Sequence, residues 1–511
     1  MQIVDLIVDP DHMGDAQMIR SLALARAGLR DDGQLRVRVT RRSIDARSKM
    51  PRFLLRVAVG GEDPVRTCFR PRPLGGKRVV VVGAGPGGYF AALTLLEAGV
   101  KPVVLERGRD VLGRLKDVKK IYSQGLIHPH SNYCFGEGGA GTYSDGKLYT
   151  RSTKRGNVDR ILDLFVAHGA SPDIGVDAHP HLGSNVLPRL VRSMRASVEG
   201  AGGEIHFGAH VADLVVDAGV LRGVRLDNGQ QVDADAVILA TGHSARDIYA
   251  LLHRRGILLE AKLFALGVRI EHPQTLVDRM FYHHSPRHPS LPAASYRIAC
   301  QTGERGVFSF CMCPGGFVVP ASTAPGELVL NGMSLASRKA PLANAGLVTE
   351  IRLSDVQGDD TLALLRFQAG VEKAMFEAGD QVTQQAPAQS AADFMQGRLT
   401  KVLPRSSYIP GIHSAPLHAL LPDFVVRALR QGLTIFGRRH KGFDSSEATL
   451  LAVESRTSSP VRIPRDSITC MHPGLDGLFP CGEGAGHAGG IMSAAMDGVA
   501  VASAAARYVG G

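Results

Sequence analysis

The stretch VVVVGAGPGG at residues 79–88 decides the fold of this chain. The run of valines predicts a buried strand, and the glycines in the spacing G-x-G-x-x-G predict a tight turn that opens a helix. Residues 103–107, VVLER, predict the next strand and place Glu106 about twenty residues after the turn. This order of strand, glycine turn, helix and strand predicts a dinucleotide site in which Glu106 accepts hydrogen bonds from the adenosine ribose.

Each glycine of the turn has a separate role in this prediction. Gly83 allows the sharp turn, Gly85 lets the backbone approach a pyrophosphate, and Gly88 lets the helix pack against the strand. The helix then directs unpaired N–H groups and its positive end at the phosphates. The predicted cofactor contacts of this unit are Gly83, Ala84, Gly85, Pro86, Gly87, Gly88, Glu106 and Arg107.

The same glycine spacing recurs at residues 136–141 (GEGGAG) and 484–489 (GAGHAG). The first copy has no clear strand before it and no helical periodicity after it. The second copy lies too near the end of the sequence for a further strand–helix–strand unit. We therefore predict a single dinucleotide fold, built on the copy at residues 83–88.

Composition narrows the class of protein. The 511 residues are 44% hydrophobic and 21% charged, which is typical of a globular chain with two or three domains. Lys and Arg number 59 against 48 Asp and Glu, but the basic residues are spread along the chain, which favours an anionic cofactor or acidic small substrate over nucleic acid. The absence of Trp also argues against a platform that stacks sugars or single-stranded nucleic acid.

The cysteines and the first residues indicate the compartment. Seven cysteines without a C-x-x-C pair predict neither a zinc site nor a disulfide framework, and the histidine pairs are too scattered to predict another metal site. The acidic start MQIVDLIVDPDH does not resemble a signal peptide, and no run reaches the ~18–20 apolar residues of a membrane span. We expect a cytoplasmic protein without membrane association.

Periodicity divides the chain into three predicted units of an α/β fold. Residues 1–70 read as strand, helix, strand and strand, and predict a small N-terminal α+β domain. Residues 71–260 and 438–511 form the two parts of a Rossmann-type dinucleotide-binding domain with three layers, a parallel sheet and a β-meander. An irregular segment is expected after Gly108. Residues 261–437 alternate as strands and predict a mixed α+β substrate domain.

Several unusual strings identify a family. They are FGEGGAGTYSDGKLYTR (135–151), ILATGHSARD (238–247), FSFCMCPGG (308–316), ESRTSSPVRIPR (454–465), GLFPCGEGAGHAGGIMSAAMDG (477–498) and, more weakly, RRSIDARSK (41–49). On these motifs the chain resembles a bacterial family of uncharacterised FAD-dependent dehydrogenases, whose FAD domain is similar to that of glutathione reductase. The resemblance implies FAD as cofactor and a small-molecule substrate, and it names no particular substrate.

The resemblance also implies where FAD binds. Glu483 would bond the ribityl chain, although an Asp is commoner there, and the helix that opens at Ile491 would direct its N-terminus at the N1–C2=O edge of the flavin. Lys147 is interpreted either as a partner of phosphate or substrate, or as a solvated charge. The further FAD contacts implied are Gly138, Gly139, Gly141, Thr142, Lys147, Val211, Thr241, Gly242, Gly482, Glu483, Gly489, Gly490, Ile491 and Met492.

Two side chains are candidates for catalysis. Cys311 and Cys313 lie two residues apart on a predicted strand, so both thiols share one face. A redox pair that includes Cys313 and a pair of buried apolar cysteines are both open interpretations. His487 lies in the loop next to the predicted flavin and is the best candidate for a general base, with a structural histidine as the alternative.

The leading hypothesis is an FAD-dependent oxidoreductase that transfers a hydride between a small organic substrate and flavin N5. Without a second nucleotide fold, NAD(P)H would bind at the flavin face, or electrons would pass to a separate carrier. The alternatives are a flavin monooxygenase, against which the string GEGAG speaks, and a non-enzymatic FAD-stabilised scaffold that binds RNA through the basic N-terminal unit. The sequence leaves the oligomeric state open.

Overall fold

A computed structural model describes residues 1–63, 65–150, 156–303, 305–358 and 360–510. Arg151 and Gly511, which close two of the predicted segments, lie outside the described residues. None of the described helices is long and apolar enough to cross a membrane.

The N-terminal unit is a three-stranded antiparallel sheet with one helix. Its middle strand Arg52–Val59 pairs with Gln2–Val8 on one side and with Val37–Asp45 on the other, and helix Ala16–Ala27 packs against it. The order of strand, helix, strand and strand predicted from periodicity is confirmed. Buried side chains of the middle strand share one apolar core with the large sheet of the substrate unit, so this small unit is packed against the rest of the protein.

The nucleotide-binding unit contains a five-stranded parallel sheet, as predicted. Its strand order is Leu478–Pro480, Ala236–Leu239, Arg78–Val82, Lys101–Glu106 and Glu204–Phe207. The predicted meander consists of Val211–Asp217, Val220–Leu226 and Gln231–Asp233. The helices of this unit are Pro86–Glu97, Val111–Gln124, Val158–Ala167, Leu187–Gly200, Arg246–Arg254 and Ile491–Val509. The fold is therefore the Rossmann-type α/β fold that the glycine turn predicts.

Helix Val111–Gln124 corrects the expectation of an irregular segment after Gly108. Asp110 caps this helix by accepting a hydrogen bond from the backbone N–H of Gly113 at 2.8 Å. Its buried face includes charged Arg114 and Asp117 beside Val118, so apolar periodicity alone does not reveal it. Burial of charged side chains depends on their tertiary partners, so a pattern of apolar residues does not predict it.

The substrate unit is built on a seven-stranded mixed sheet. Its strand order is Ala299–Thr302, Arg305–Cys313, Leu342–Ile351, Phe264–Pro273, Thr449–Glu454, Ala386–Ser390 and Ile412–Ser414. A two-stranded ribbon pairs Gly316–Pro320 with Leu330–Ser334, and a smaller one pairs Glu260–Ala261 with Val461–Arg462. The helices are Gln274–Tyr282, Ala363–Glu377, Ala391–Gln396, Leu417–Leu420 and Asp423–Arg439.

Strand Thr449–Glu454 lies inside this sheet, between two strands of the substrate unit. The segment 438–511 therefore begins in the substrate unit and enters the nucleotide-binding unit only after this strand. This differs from the boundary expected at residue 437. Strand pairing between residues distant in sequence decides the position of the crossing, and local periodicity does not carry that information.

The two ends of the nucleotide-binding unit meet where helix Ile491–Val509 packs on helix Pro86–Glu97. Gly498 makes this close approach achievable, because a Cβ built on it would lie 2.2 Å from the carbonyl oxygen of Gly87. The contact sets the C-terminal glycine segment beside the first glycine turn.

We expect Gly498→Ala to lower the free energy of unfolding by about 1–3 kcal/mol, because the methyl group forces these two helix backbones apart. Gly370→Ala is the matched control, since Gly370 is an exposed helical glycine and a Cβ added to it would have no neighbour within 4 Å. That substitution is expected to be neutral or stabilising. Thermal denaturation of both variants tests the contact, and equal melting temperatures would contradict it.

Candidate active site

The glycines of the first turn differ in what surrounds them. A Cβ on Gly83, which has φ +105°, would lie 2.5 Å from the carbonyl oxygen of Ala240, and one on Gly88 would lie 1.9 Å from the oxygen of Gly83. Both positions exclude a side chain for packing reasons. A Cβ on Gly85 would meet only the Cα of Gly139, at 3.9 Å. Gly85 therefore borders open space, which is the cradle that a pyrophosphate needs.

Glu106 lies at the end of strand Lys101–Glu106 and is 5% exposed. Its carboxylate accepts hydrogen bonds from the backbone N–H groups of Ala84, Gly108 and Gly136, each at 2.9 Å. A carboxylate offers about four lone-pair sites, so one acceptor site remains for a ligand hydroxyl. The carboxylate also ties the first turn to the second glycine segment.

Arg107 lines the cavity beside Glu106. Its guanidinium lies over the ring of Phe135 at 4.2 Å and pairs with Asp247 at 2.9 Å. These contacts fix its orientation, so Arg107 presents a cation at the end of the cleft where an adenosine moiety is predicted.

The glycine segment at residues 136–141 is anchored by two buried charges. Fully buried Arg114 donates to the carbonyl oxygens of Asn132 and Glu137 at 2.8 and 2.7 Å. The Glu137 carboxylate, 0% exposed, accepts from the Tyr89 hydroxyl at 2.9 Å and pairs with Arg195 at 3.2 Å. This segment is held rigidly against helix Pro86–Glu97, and sequence reasoning found neither anchor.

Two helix N-termini open on one cavity. Helix Pro86–Glu97 begins after Gly85 and helix Ile491–Val509 begins after Gly490, and neither cap residue supplies a side-chain hydrogen bond. Both cap residues line the same cavity of about 1970 Å³. The unpaired N–H groups and the positive ends of both helices are therefore available to anionic groups of a ligand.

Most of the residues predicted to bind the cofactor line this cavity. They are Gly83, Gly85, Pro86, Gly87, Glu106, Arg107, Gly139, Gly141, Lys147, Val211, Thr241, Gly242, Gly482, Glu483, Gly489, Gly490, Ile491 and Met492. The predicted residues that do not line it are Ala84, Gly88, Gly138, Thr142, Cys313 and His487. Thr142, for example, is buried and donates its hydroxyl to the carbonyl oxygen of Glu137 at 3.0 Å, which is a structural contact.

Glu483 lines the cavity between the two helix N-termini. Burial raises the pKa of its carboxyl to about 7, and the charge of Lys262 opposes that rise. In the part of the chain that the structure describes, no side-chain hydrogen bond reaches this carboxyl. A half-buried acceptor without a protein partner fits the hydroxyl groups of a ribityl chain.

His487 has a different environment from the one expected of a general base. Its Nε2 lies 3.1 Å from the carbonyl oxygen of Ile463, and burial lowers its pKa to about 4. The ring is absent from the cavity lining. The hypothesis that His487 is a general base therefore finds no support in this geometry.

Lys147 is mostly buried, with a side chain 22% exposed, so it is not a solvated charge. Its ammonium lies 3.3 Å from Asp145 and within 3.8 and 4.0 Å of the sulfurs of Cys311 and Cys313. Cys311 lines the cavity, whereas Cys313 is 0% exposed. The thiol that faces the cavity is therefore Cys311, and not Cys313, which was the predicted catalytic residue.

The N-terminal unit contributes to the cavity wall, which the sequence did not reveal. Strand Val37–Asp45 lines one side, and Arg42 joins it to the nucleotide-binding unit through a 2.7 Å ion pair with Asp177. Other arginines of this unit are paired too, including Arg47 with Asp45 and Arg56 with Asp5. These pairs neutralise much of the basic cluster on which the RNA-binding alternative depends. The motif at residues 41–49, interpreted only as a family motif, was the one signal from which this wall could have been predicted.

One group of potential metal ligands lies near Arg107. Ligand atoms of His130, His210 and Asp227 are within 4.8 Å of one another. The Arg107 guanidinium lies 3.1–3.3 Å from Nδ1 of His130, and Nε2 of His210 lies 2.8 Å from Asp247. Because a fixed cation already occupies one side of this group, it does not favour a metal ion.

A buried ion network joins the nucleotide-binding and substrate units. Glu372, 0% exposed, accepts from Arg246 at 2.5 Å, Arg456 at 2.9 Å and the Ser455 hydroxyl at 2.6 Å. Arg456 also donates to the Ser244 hydroxyl at 3.1 Å and lines the cavity. The network fixes the substrate unit relative to the loop that follows strand Ala236–Leu239.

Comparisons with known proteins agree with this geometry. Residues 77–248 match the family described as pyridine nucleotide-disulphide oxidoreductase, residues 263–457 match the family described as FAD-dependent protein, C-terminal domain-like, and residues 1–60 match a domain of unknown function. A relative from Clostridium beijerinckii, called an uncharacterized protein, is 42% identical over 431 residues, which are 83% of this chain and 80% of the relative.

Solved structures of flavoproteins are similar at low identity. A flavin-dependent brominase matches with TM-score 0.37 and 12% identity over 85% of this chain and 80% of its own. A flavocytochrome c3 fumarate reductase matches with TM-score 0.34 and 12% identity over 85% and 79%. CtdE in complex with FAD matches with TM-score 0.33 and 11% identity over 85% and 87%. These TM-scores are low, so the assignment rests on the sequence matches and the Rossmann-type site: the chain belongs to the FAD-dependent oxidoreductase family, and its cofactor is FAD.

Proposed function

We propose that this oxidoreductase is a dehydrogenase or reductase in which a hydride passes between a small organic substrate and N5 of the flavin. The observation that carries the proposal is the cavity of about 1970 Å³ on which both helix N-termini open. A site for one drug-sized ligand has roughly 300–1,000 Å³, so this cavity has room for a dinucleotide and for a small substrate beside it.

The residues of the chain have distinct tasks in this proposal. The open space at Gly85 and the N–H groups after it hold the pyrophosphate, and the remaining acceptor site of Glu106 holds the adenosine ribose. Glu483 accepts a ribityl hydroxyl. The N-terminus of helix Ile491–Val509 stabilises negative charge on the flavin edge, which favours its reduced form. When bound, FAD supplies a two-electron acceptor and donor.

Positive charge at the outer part of the cavity supports an acidic substrate. Burial, and then the charges of Arg41, Arg297 and Arg338, lower the pKa of His179, which lines the cavity with them. Arg338 is already paired with Asp145, so Arg41 and Arg297, from two units, are the cations offered to a substrate. The described strands form one Rossmann-type sheet. We therefore propose that a nicotinamide donor or an electron carrier, where one is used, acts at this same cavity.

Anaerobic titration of the purified yellow holoenzyme tests the proposal. NADH, NADPH and a panel of small hydroxy acids and amino acids are added, and bleaching of the flavin absorbance is recorded. We expect at least one donor to bleach the flavin without oxygen, and a quinone to restore the colour. If turnover requires oxygen, and isotopically labelled oxygen supplies an atom of the product, the protein is a monooxygenase and the proposal is overturned.

A further inference from the structure

Two thiols and several charges meet where strand Arg305–Cys313 leaves its regular register. Pairing with strand Leu342–Ile351 shifts between Phe310 and Cys313, which gives this strand one extra residue. Cys311 takes up the bulge with φ +42°, a left-handed conformation that non-glycine residues seldom adopt. Such a conformation at a site wall points to a functional constraint on this residue.

A buried arginine holds the bulge in this shape. Arg269, 0% exposed, donates to the carbonyl oxygen of Cys311 at 2.8 Å and to the side chain of Asn344 at 2.8 Å. Arg269 also pairs with buried Glu454 at 2.5 Å and lies 3.8 Å from the Cys313 sulfur. The guanidinium therefore fixes both the Cys311 backbone and the position of the second thiol.

The thiols lie among charges of both signs. The cations are Lys147, Arg269 and Arg338, and the carboxylates are Asp145 and Glu454, with Glu271 and Glu483 farther off. The Lys147 ammonium lies 3.8 Å from the Cys311 sulfur, so a thiolate on Cys311 is paired with a cation, which offsets part of the cost of burying its charge.

Protonation of the pair follows the same geometry. The Cys313 thiol donates to the carbonyl oxygen of Cys311 at 3.3 Å, and the proximity of this thiol, with the charges of Lys147 and Arg269, holds the pKa of Cys311 well below its usual range. The groups facing the pair are Lys147 and Asp145 on the glycine loop, Arg338, Arg269, Glu454 and, farther off, Tyr296 and Glu483. A charge on Cys311 is among the causes that raise the pKa of Glu483, after burial, and both residues line the same cavity.

We propose that Cys311 is a reactive thiolate and a covalent modification site in the cavity, and that peroxides convert it with Cys313 into a disulfide. This inference goes beyond the proposed function and does not depend on it. Cys311 lines the cavity and Cys313 lies behind it, with both sulfurs within 4.0 Å of one ammonium nitrogen. The first thiol is accessible to a small oxidant from the cavity, and the second lies beside the same ammonium, two residues farther along the strand.

The chemistry balances with hydrogen peroxide as the oxidant. The Cys311 thiolate attacks a peroxide oxygen, an S–O bond forms as the O–O bond breaks, and the departing hydroxide takes a proton from solvent. The Cys313 sulfur then attacks the sulfenic sulfur. The S–S bond forms as the S–O bond breaks, and the Cys313 proton leaves with hydroxide as water. Two electrons pass from the two sulfurs to the peroxide, and two waters are formed.

Alkylation of the wild-type holoenzyme tests the thiolate directly. Iodoacetamide is applied across a range of pH, and peptide mass spectrometry measures the rate at each cysteine, with exposed Cys68 as the internal control. An ordinary thiol has a pKa of about 8.5, so at about pH 6.5 we expect Cys311 to react roughly 10-fold or more faster than Cys68. A Cys311 rate below that of Cys68 and rising with pH as an ordinary thiol would overturn the inference.

Variants then separate charge from packing. We expect Lys147→Met to move the pH profile of Cys311 alkylation upward, and Lys147→Arg to restore it. An unchanged profile in Lys147→Met would contradict the role of the ammonium.

Oxidation by hydrogen peroxide tests the disulfide. We expect a Cys311–Cys313 disulfide, seen as the loss of two hydrogens and reversed by dithiothreitol. In Cys313→Ser, a sulfenic acid should remain at Cys311, where dimedone traps it. A holoenzyme whose Cys311 stays reduced while other cysteines oxidise would refute the disulfide.

Discussion

Gly85→Asp is expected to abolish FAD binding while the apoprotein stays folded. Gly85 has φ −80° and ψ −175°, which is extended backbone that any residue adopts, and its Cβ would meet only the Cα of Gly139 at 3.9 Å. It is also the cap residue of helix Pro86–Glu97, where an Asp side chain satisfies a free N–H group. Stability of the apoprotein should therefore be unchanged or slightly higher.

The loss of binding comes from charge. The new carboxylate occupies the cradle of the pyrophosphate and takes the N–H groups that would bind it. A like charge within about 4–5 Å costs roughly 3–4 kcal/mol per pair at the effective dielectric of a protein surface, so FAD affinity should fall by at least about 100-fold. The measurement is the dissociation constant for FAD by flavin fluorescence, with melting temperature of the apoprotein as the second readout.

Gly85→Asn is the matched control, because asparagine caps a helix as well as aspartate and has nearly the same size without the charge. Its affinity for FAD should fall clearly less. If aspartate and asparagine weaken binding equally, steric exclusion explains the loss and the anion-binding role of this helix N-terminus is contradicted. If neither weakens it, the pyrophosphate does not lie at Gly85.

Glu372→Gln should destabilise the protein by about 3 kcal/mol at pH 7. Glu372 is fully buried, and although burial raises its pKa, the charges of Arg456 and Arg246 outweigh this and lower the pKa to about 2, from an ordinary value of 4.5. Each pKa unit corresponds to about 1.4 kcal/mol. Because the folded pKa is depressed, the stabilisation is fully present above about pH 4.5 and is lost as the pH falls toward about 2.

The pH dependence is the decisive measurement for this network. The difference in free energy of unfolding between wild type and Glu372→Gln should be largest near neutral pH and shrink steadily below about pH 4.5. Glu377→Gln on the same helix is the control, since its ion pair with Lys373 is exposed, at 53% and 68%. Exposed pairs contribute about 0–1 kcal/mol. Equal effects of the two substitutions would show that the buried network does not hold the units together.

Local pattern predicted those parts of the fold whose signals are local. The valine strand, the glycine turn and helix Pro86–Glu97 follow from residues within one strand–helix–strand unit, and the meander follows from alternation and a turn. The pattern did not predict helix Val111–Gln124, whose buried face carries Arg114. It also did not reveal that strand Thr449–Glu454 joins the sheet of the substrate unit.

The candidate site also has residues that the sequence predicted and residues that it did not. Glycine spacing and the acid after the second strand pointed to the residues around Gly85 and Glu106, and the family motifs pointed to the segment that ends at Met492, because the cavity lining there is rich in glycine backbone, which consecutive residues specify. The residues that sequence reasoning missed, such as Arg114 and Arg456, act through side chains. Cys311 faces the cavity instead of Cys313 because a bulge in its strand re-aims it.

By itself, the sequence determined that the chain forms a Rossmann-type sheet with a dinucleotide-binding turn. The glycines that the turn requires, Gly83 and Gly88, and the periodicity of the flanking strands can be recognised within one short stretch of consecutive residues. Only the tertiary structure decided which charges meet. The Glu372 network, the ion pair of Asp145 with Arg338 beside the thiols, and the wall made by Arg42 join residues from different units. Burial strengthens and selects these pairs, and burial exists only once the chain has folded.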